Sequence, residues 1–129
     1  MSHTQQTVIL LIADPMFREG LKLLLEDMHF SVTPAGTYDE LEKVLVTHVS
    51  APALMIFPLK LNNGNPGIEY VRELRDRFNT CIPAILLSSE NTMPQVKLTD
   101  AALLVLSEQT KANVFRHKIT EILKKDFTA

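Results

Sequence analysis

Hydrophobic residues along this chain recur in two alternating ways. Short unbroken apolar runs occupy 8–13, 54–57, 84–87 and 101–106, and a weaker extended stretch occupies 30–34. Runs this short, rich in Val, Ile and Leu and without polar alternation, suit parallel strands covered on both faces. Between them the spacing becomes helical. Phe17, Leu21, Leu24, Leu25 and Met28 fall on one helical face, as do Leu41, Val44, Leu45 and His48. Ile68, Val71, Leu74 and Phe78 form a third such face, and Val114, Ile119, Ile122 and Leu123 a fourth.

Local signals agree with these helices. Asp14-Pro15 sets a capping carboxylate before a proline at the first helical position, and Asn65-Pro66 has the same form. Thr37 followed by Glu40 has the spacing of a capping box. The segment 89–100 is the weakest: Pro94 interrupts it and its apolar residues keep no period, so a short or irregular helix is expected there. The order is therefore β-α-β-α-β-α-β-(α)-β-α. Right-handed crossovers then give a five-stranded doubly wound α/β domain with helices on both faces. No repeat, linker or low-complexity stretch divides the chain. The expectation is one domain over 7–125, with short tails at 1–6 and 126–129.

Composition narrows the function classes. With 129 residues, 46% of them hydrophobic and 22% charged, the chain can bury a core without disulfides or metal. A net charge of −2 gives no footprint for nucleic acid or an anionic membrane. Lys118, Lys124 and Lys125 cluster modestly, but acids are mixed among them, as on a solvated helix face. No apolar run approaches the roughly 20 residues of a membrane span. Residues 1–6 are polar and lack the apolar core expected of a signal peptide. A lone Cys81 permits no internal disulfide and suits a reducing compartment, so a soluble cytoplasmic protein is expected.

Most familiar chemistry finds no support. His3, His29, His48 and His117 are scattered, and none has metal-ligand spacing with Cys81 or a second histidine. Ser88-Ser89 lacks the nucleophile-elbow glycines. The turn-rich stretch 62–67 has neither dinucleotide nor P-loop spacing and reads as a turn. Cys81 has no evident activating neighbour.

Three stretches carry a family resemblance. Residues 9–21, ILLIADPMFREGL, 54–74, LMIFPLKLNNGNPGIEYVREL, and 82–91, IPAILLSSEN, stand in the order and spacing of bacterial two-component receiver domains. The chain resembles that family over about 7–125, and the loop before GIEYVRELR is most similar to receivers at the C-terminal end of hybrid sensor kinases. The resemblance implies a flavodoxin-like strand order 2-1-3-4-5 and a functional pocket at the C-terminal strand ends.

It also implies a phosphorylation site, and the residues do not supply one. A working receiver phosphorylates an Asp at the end of its third strand. Mg²⁺ is held by that Asp and an acidic pair after strand one, while a Ser or Thr and a Lys after strands four and five bind the phosphoryl oxygens. Here Pro58 stands at the acceptor position, and no Asp or Glu occurs from Lys43 through Ile68. No small shift of alignment can supply an acceptor. Ile12 and Ala13 stand where the acidic pair belongs, leaving Asp14 as either a residual ligand or, the favoured reading, the cap of the first helix. Glu108 replaces the lysine, either repelling an anion or pointing to water. Ser88 alone matches the pattern, and residues 103–106 offer no aromatic switch partner.

The expectation is thus a pseudo-receiver: not an enzyme, without cofactor or metal, working through contact with a histidine kinase or other signalling protein. The resemblance places its partner face on the fourth helix, fifth strand and fifth helix, where Gln109, Lys111, Arg116 and Lys118 would lie and where a homodimer would form. The alternative is a small-molecule-binding domain that uses the vacated pocket, made apolar by Ile12, Ala13 and Pro58.

Overall fold

A computed structural model describes residues 6–47, 50–61, 63–89 and 102–124. The five strands are β1 (Thr7–Leu11), β2 (Ser31–Ala35), β3 (Leu54–Pro58), β4 (Ala84–Ser88) and β5 (Leu103–Ser107). The helices are α1 (Pro15–Asp27), α2 (Tyr38–Leu45), α3 (Gly67–Phe78) and α4 (Ala112–Lys124). All strand pairs are parallel, and the sheet order is β2-β1-β3-β4-β5. This is the flavodoxin-like doubly wound arrangement, with the chain reversing direction across the sheet beside β1. The irregular helix expected over 89–100 lies, apart from Ser89, outside the described residues, as do His3, His48 and Lys125.

Alternation within each strand splits the core into two layers. Ile9, Leu11, Met55, Phe57, Ala84, Leu86, Leu103 and Val105 face α2 and α3, where Leu41, Leu45, Tyr70, Val71 and Leu74 meet them. Val8, Leu10, Leu54, Ile56, Ile85, Leu87 and Leu106 face α1 and α4, against Leu21, Leu25, Phe115, Ile119 and Ile122. The middle strand β3 is buried along Leu54 to Phe57, which is why its run carries no polar residue. Pro34 is tolerated because β2 is an edge strand, paired only with β1.

Two helix faces differ from the sequence expectation. On α4 the inward residues are Phe115, Ile119 and Ile122, while Val114 is 41% exposed. One residue is a 100° step on a helix, and burying the larger ring removes more apolar area from water. On α2, Leu41 and Leu45 are buried and Val44 looks outward. Among the described residues no helix is long and apolar enough to cross a membrane.

The helix starts follow their caps unevenly. Asp14 Oδ1 accepts hydrogen bonds from the Met16 and Phe17 backbone at 3.0 and 3.5 Å, with Pro15 opening α1. Thr37 Oγ1 accepts from the Glu40 nitrogen at 3.2 Å, and the Glu40 carboxylate reaches back to the Gly36 N–H at 3.4 Å, one residue before the cap. Asn65 does not cap α3. The helix begins at Gly67 after Pro66, with no side-chain cap bond. Its first orphan donor is met instead by main chain, Gly67 N to the Leu59 carbonyl at 2.8 Å.

Candidate functional site

The C-terminal ends of β1, β3, β4 and β5 converge on a cleft of about 450 Å³. Leu11, Ile12, Ala13, Asp14, Gly36, Pro58, Lys60, Leu61, Leu87 and Glu108 line it. A neighbouring cleft of about 370 Å³ shares Pro58, Lys60, Leu87 and Glu108 and adds Ser88 and Ser89. The fold thus brings together the six pocket positions singled out in the sequence. Pro58 closes β3, paired with Leu87, and carries no donor or acceptor on its side chain. Ser88 is 3% exposed at the end of β4, and its carbonyl accepts from the Glu108 nitrogen at 2.8 Å. Glu108 itself is exposed just beyond β5.

Two charged residues at the site were not singled out in the sequence. Lys60 lines both clefts. It lies only two positions past Pro58, but its placement depends on the loop that follows. There Lys60 bridges antiparallel to Pro66, Leu61 N donates to the Asn65 carbonyl at 2.8 Å, and Gly64 turns at φ +90°. The other is Arg18. Its Nη1 donates to the carbonyls of Ile12 and Ala13 at 2.8 and 3.4 Å, holding the backbone that follows β1. Gly36 leaves room for it, since a Cβ there would lie 2.9 Å from Arg18 Nη1.

This donor set does not fit a Mg²⁺ ion. Mg²⁺ requires near-octahedral oxygen ligation, normally through carboxylates. Ile12, Ala13 and Pro58 offer hydrocarbon side chains, one oxygen of Asp14 is engaged by α1, Glu108 is the one other carboxylate among the described lining residues, and the Lys60 ammonium adds positive charge to the same cleft. Among the described residues no group of three His, Cys, Asp or Glu side chains is placed to hold a metal.

The residues expected on the partner face do not act alike. Gln109 and Lys111 are exposed between β5 and α4. Arg116 is held by α1, its Nη1 2.7 Å from Asp27 Oδ2. Lys118 lies 3.8 Å from Glu121 on the same helix.

On the opposite side of the sheet, α2 and α3 are joined by a polar clasp that the sequence did not reveal. Arg77 donates to both oxygens of Glu42, at 3.1 and 3.0 Å, and the Tyr70 hydroxyl donates to Glu42 Oε2. Tyr70 stacks on Phe57 of β3 with ring centroids 5.0 Å apart, and Tyr38 tilts against it at 4.9 Å. Burial opposes ionisation of Glu42, but the hydrogen bonds from Arg77 and Tyr70 outweigh it and leave the carboxyl below its ordinary value. Burial, then the bond to Glu42, pushes the Tyr70 phenol far upward, so it stays a donor at any ordinary pH. Glu42 in turn raises Arg77.

No protein-family model matches this chain, and no curated protein matches it in sequence. Solved structures do match. A response regulator receiver protein from Sinorhizobium medicae superposes with a TM-score of 0.77 at 14% identity, over 95% of this chain and 97% of that one. A two-component response regulator from Clostridium difficile gives 0.76 at 17% identity, over 96% and 100%. A receiver protein from Burkholderia phymatum gives 0.74 at 18% identity, over 95% and 98%. The chain has the receiver fold across nearly its whole length.

Proposed function

We propose that this chain is a receiver-like signalling domain of a two-component phosphorelay that works by protein–protein contact and accepts no phosphoryl group. The observation that carries the reading is Pro58. It occupies the end of the central strand, on the floor of the strand-end cleft, where the receiver fold presents its acceptor. Phosphoryl transfer depends on a positioned nucleophile and on cations that offset charge on the transferred oxygens. Pro58 offers no nucleophile, and Glu108 brings negative charge to the cleft wall. Lys60 is the one cation among the described lining residues. With no acceptor to modify, partners would recognise the unmodified surface, which includes Gln109 and Lys111. Thermal unfolding with and without millimolar Mg²⁺ tests the reading. Unchanged Tm is expected, because an ion with no competent site stabilises nothing. A specific rise in Tm that Asp14→Ala abolishes would refute it.

A second reading rests on the size of the cleft. About 450 Å³, walled by Leu11, Ile12, Pro58, Leu61 and Leu87, lies within the range of small-molecule sites. A retained ligand would appear as added mass in native mass spectrometry of freshly purified protein.

A further inference from the structure

A separate cleft opens on the α2–α3 side of the sheet, away from Pro58. It has a volume of about 250 Å³ and is lined by Tyr38, Leu61, Asn65, Glu69, Tyr70 and Glu73. Its chemistry is unlike that of the strand-end cleft, because two carboxylates and two phenol rings line it and, among the described residues, no cation does. Glu69 stands in the first turn of α3 and, among the described residues, has no ion-pair partner, while Glu73 shares Arg77 at 3.4 Å with the stronger Glu42 pair. Tyr70 is fixed before any ligand arrives, packed between Phe57 and Tyr38 with its hydroxyl committed to Glu42, and the half-buried Tyr38 rests against it at 4.9 Å. Pre-set aromatic faces beside carboxylates form a receptor for a cation, which gains both from the ring quadrupole and from the charges. Ligand sites for drug-sized molecules begin at about 300 Å³, so this cleft suits one side chain and not a whole metabolite.

We propose that this cleft receives an arginine side chain of a partner protein, the guanidinium stacking on Tyr38 and pairing with Glu69 and Glu73. Arginine fits better than lysine because its planar fork can stack and bond two carboxylates at once. The inference goes beyond the phosphoryl-free reading of the strand-end cleft and does not depend on it.

Tyr38 and Tyr70 are the only tyrosines of the chain, and there is no tryptophan, so intrinsic fluorescence reports on this cleft alone. The full-length protein is titrated with acetyl-Gly-Arg-Gly-amide and with the isosteric uncharged citrulline peptide. The arginine peptide should change tyrosine emission saturably and the citrulline peptide should not. Glu69→Gln and Glu73→Gln should each weaken binding by about threefold, and together by about tenfold. Glu108→Gln, in the other cleft, should leave it unchanged. An equal response to both peptides, no saturable response, or affinity unaffected by the Glu69 and Glu73 changes would overturn the proposal. Circular dichroism of each variant separates lost binding from lost folding.

Discussion

Gly67 lies so close to Pro58 that a Cβ added to it would stand 2.1 Å from the proline carbonyl oxygen. The contact fastens the start of α3 to the end of β3 and fixes the hairpin loop that places Lys60. Backbone, not a flexible side chain, would have to move. Gly67→Ala should therefore cost about 1–3 kcal/mol in denaturant unfolding. Gly20→Ala should instead stabilise by about 0.5–1 kcal/mol, since a Cβ on that exposed position of α1 meets nothing within 4 Å. Equal effects at the two glycines would show that the Pro58 approach does not constrain the fold.

Asp14 has a capping role that a substitution series can isolate. Asn and Ser also accept backbone hydrogen bonds at this position, so Asp14→Asn and Asp14→Ser should stay near the parent in stability. Asp14→Ala should lose about 0.5–2 kcal/mol. Chemical unfolding of the three variants measures the ranking, and an alanine variant as stable as the parent would contradict the cap.

The clasp between α2 and α3 predicts an acid response. Glu42 has a folded pKa below the ordinary glutamate value, so its stabilisation is complete above that ordinary value and is lost as pH falls through the lower folded value. Stability measured from pH 6 down to pH 3 should decline more steeply in the parent than in Glu42→Gln. Tyr70→Phe should cost about 1.5–3 kcal/mol near neutral pH, the worth of a hydrogen bond to a charged group. Parallel pH profiles for parent and Glu42→Gln would exclude the clasp as their source.

The strand runs were legible because each central strand is covered on both faces and so carries an unbroken apolar signature. The run at 8–13 over-reached only at its end: β1 stops at Leu11, and Ile12 continues by donating to the Ala35 carbonyl at 3.0 Å. Periodicity could not choose between Val114 and Phe115, adjacent apolar residues that differ chiefly in size. Asn65 misled because the N–H it would have capped is taken by the main chain at Leu59. The clasp was invisible for a different reason. Tyr70 and Glu42 are 28 residues apart, and no local pattern marks a hydrogen bond made by packing two helices on one sheet face. Lys60 had a usable signal, a cation two positions beyond Pro58. Its role in the cleft wall emerges only once the loop is folded.

The central claim concerns what happens at Pro58. The purified protein is incubated with acetyl phosphate and Mg²⁺, and its intact mass is followed over time. The account predicts that the mass stays that of the unmodified chain. A stoichiometric gain of one phosphoryl group, removed by hydroxylamine as an acyl phosphate would be, would contradict it.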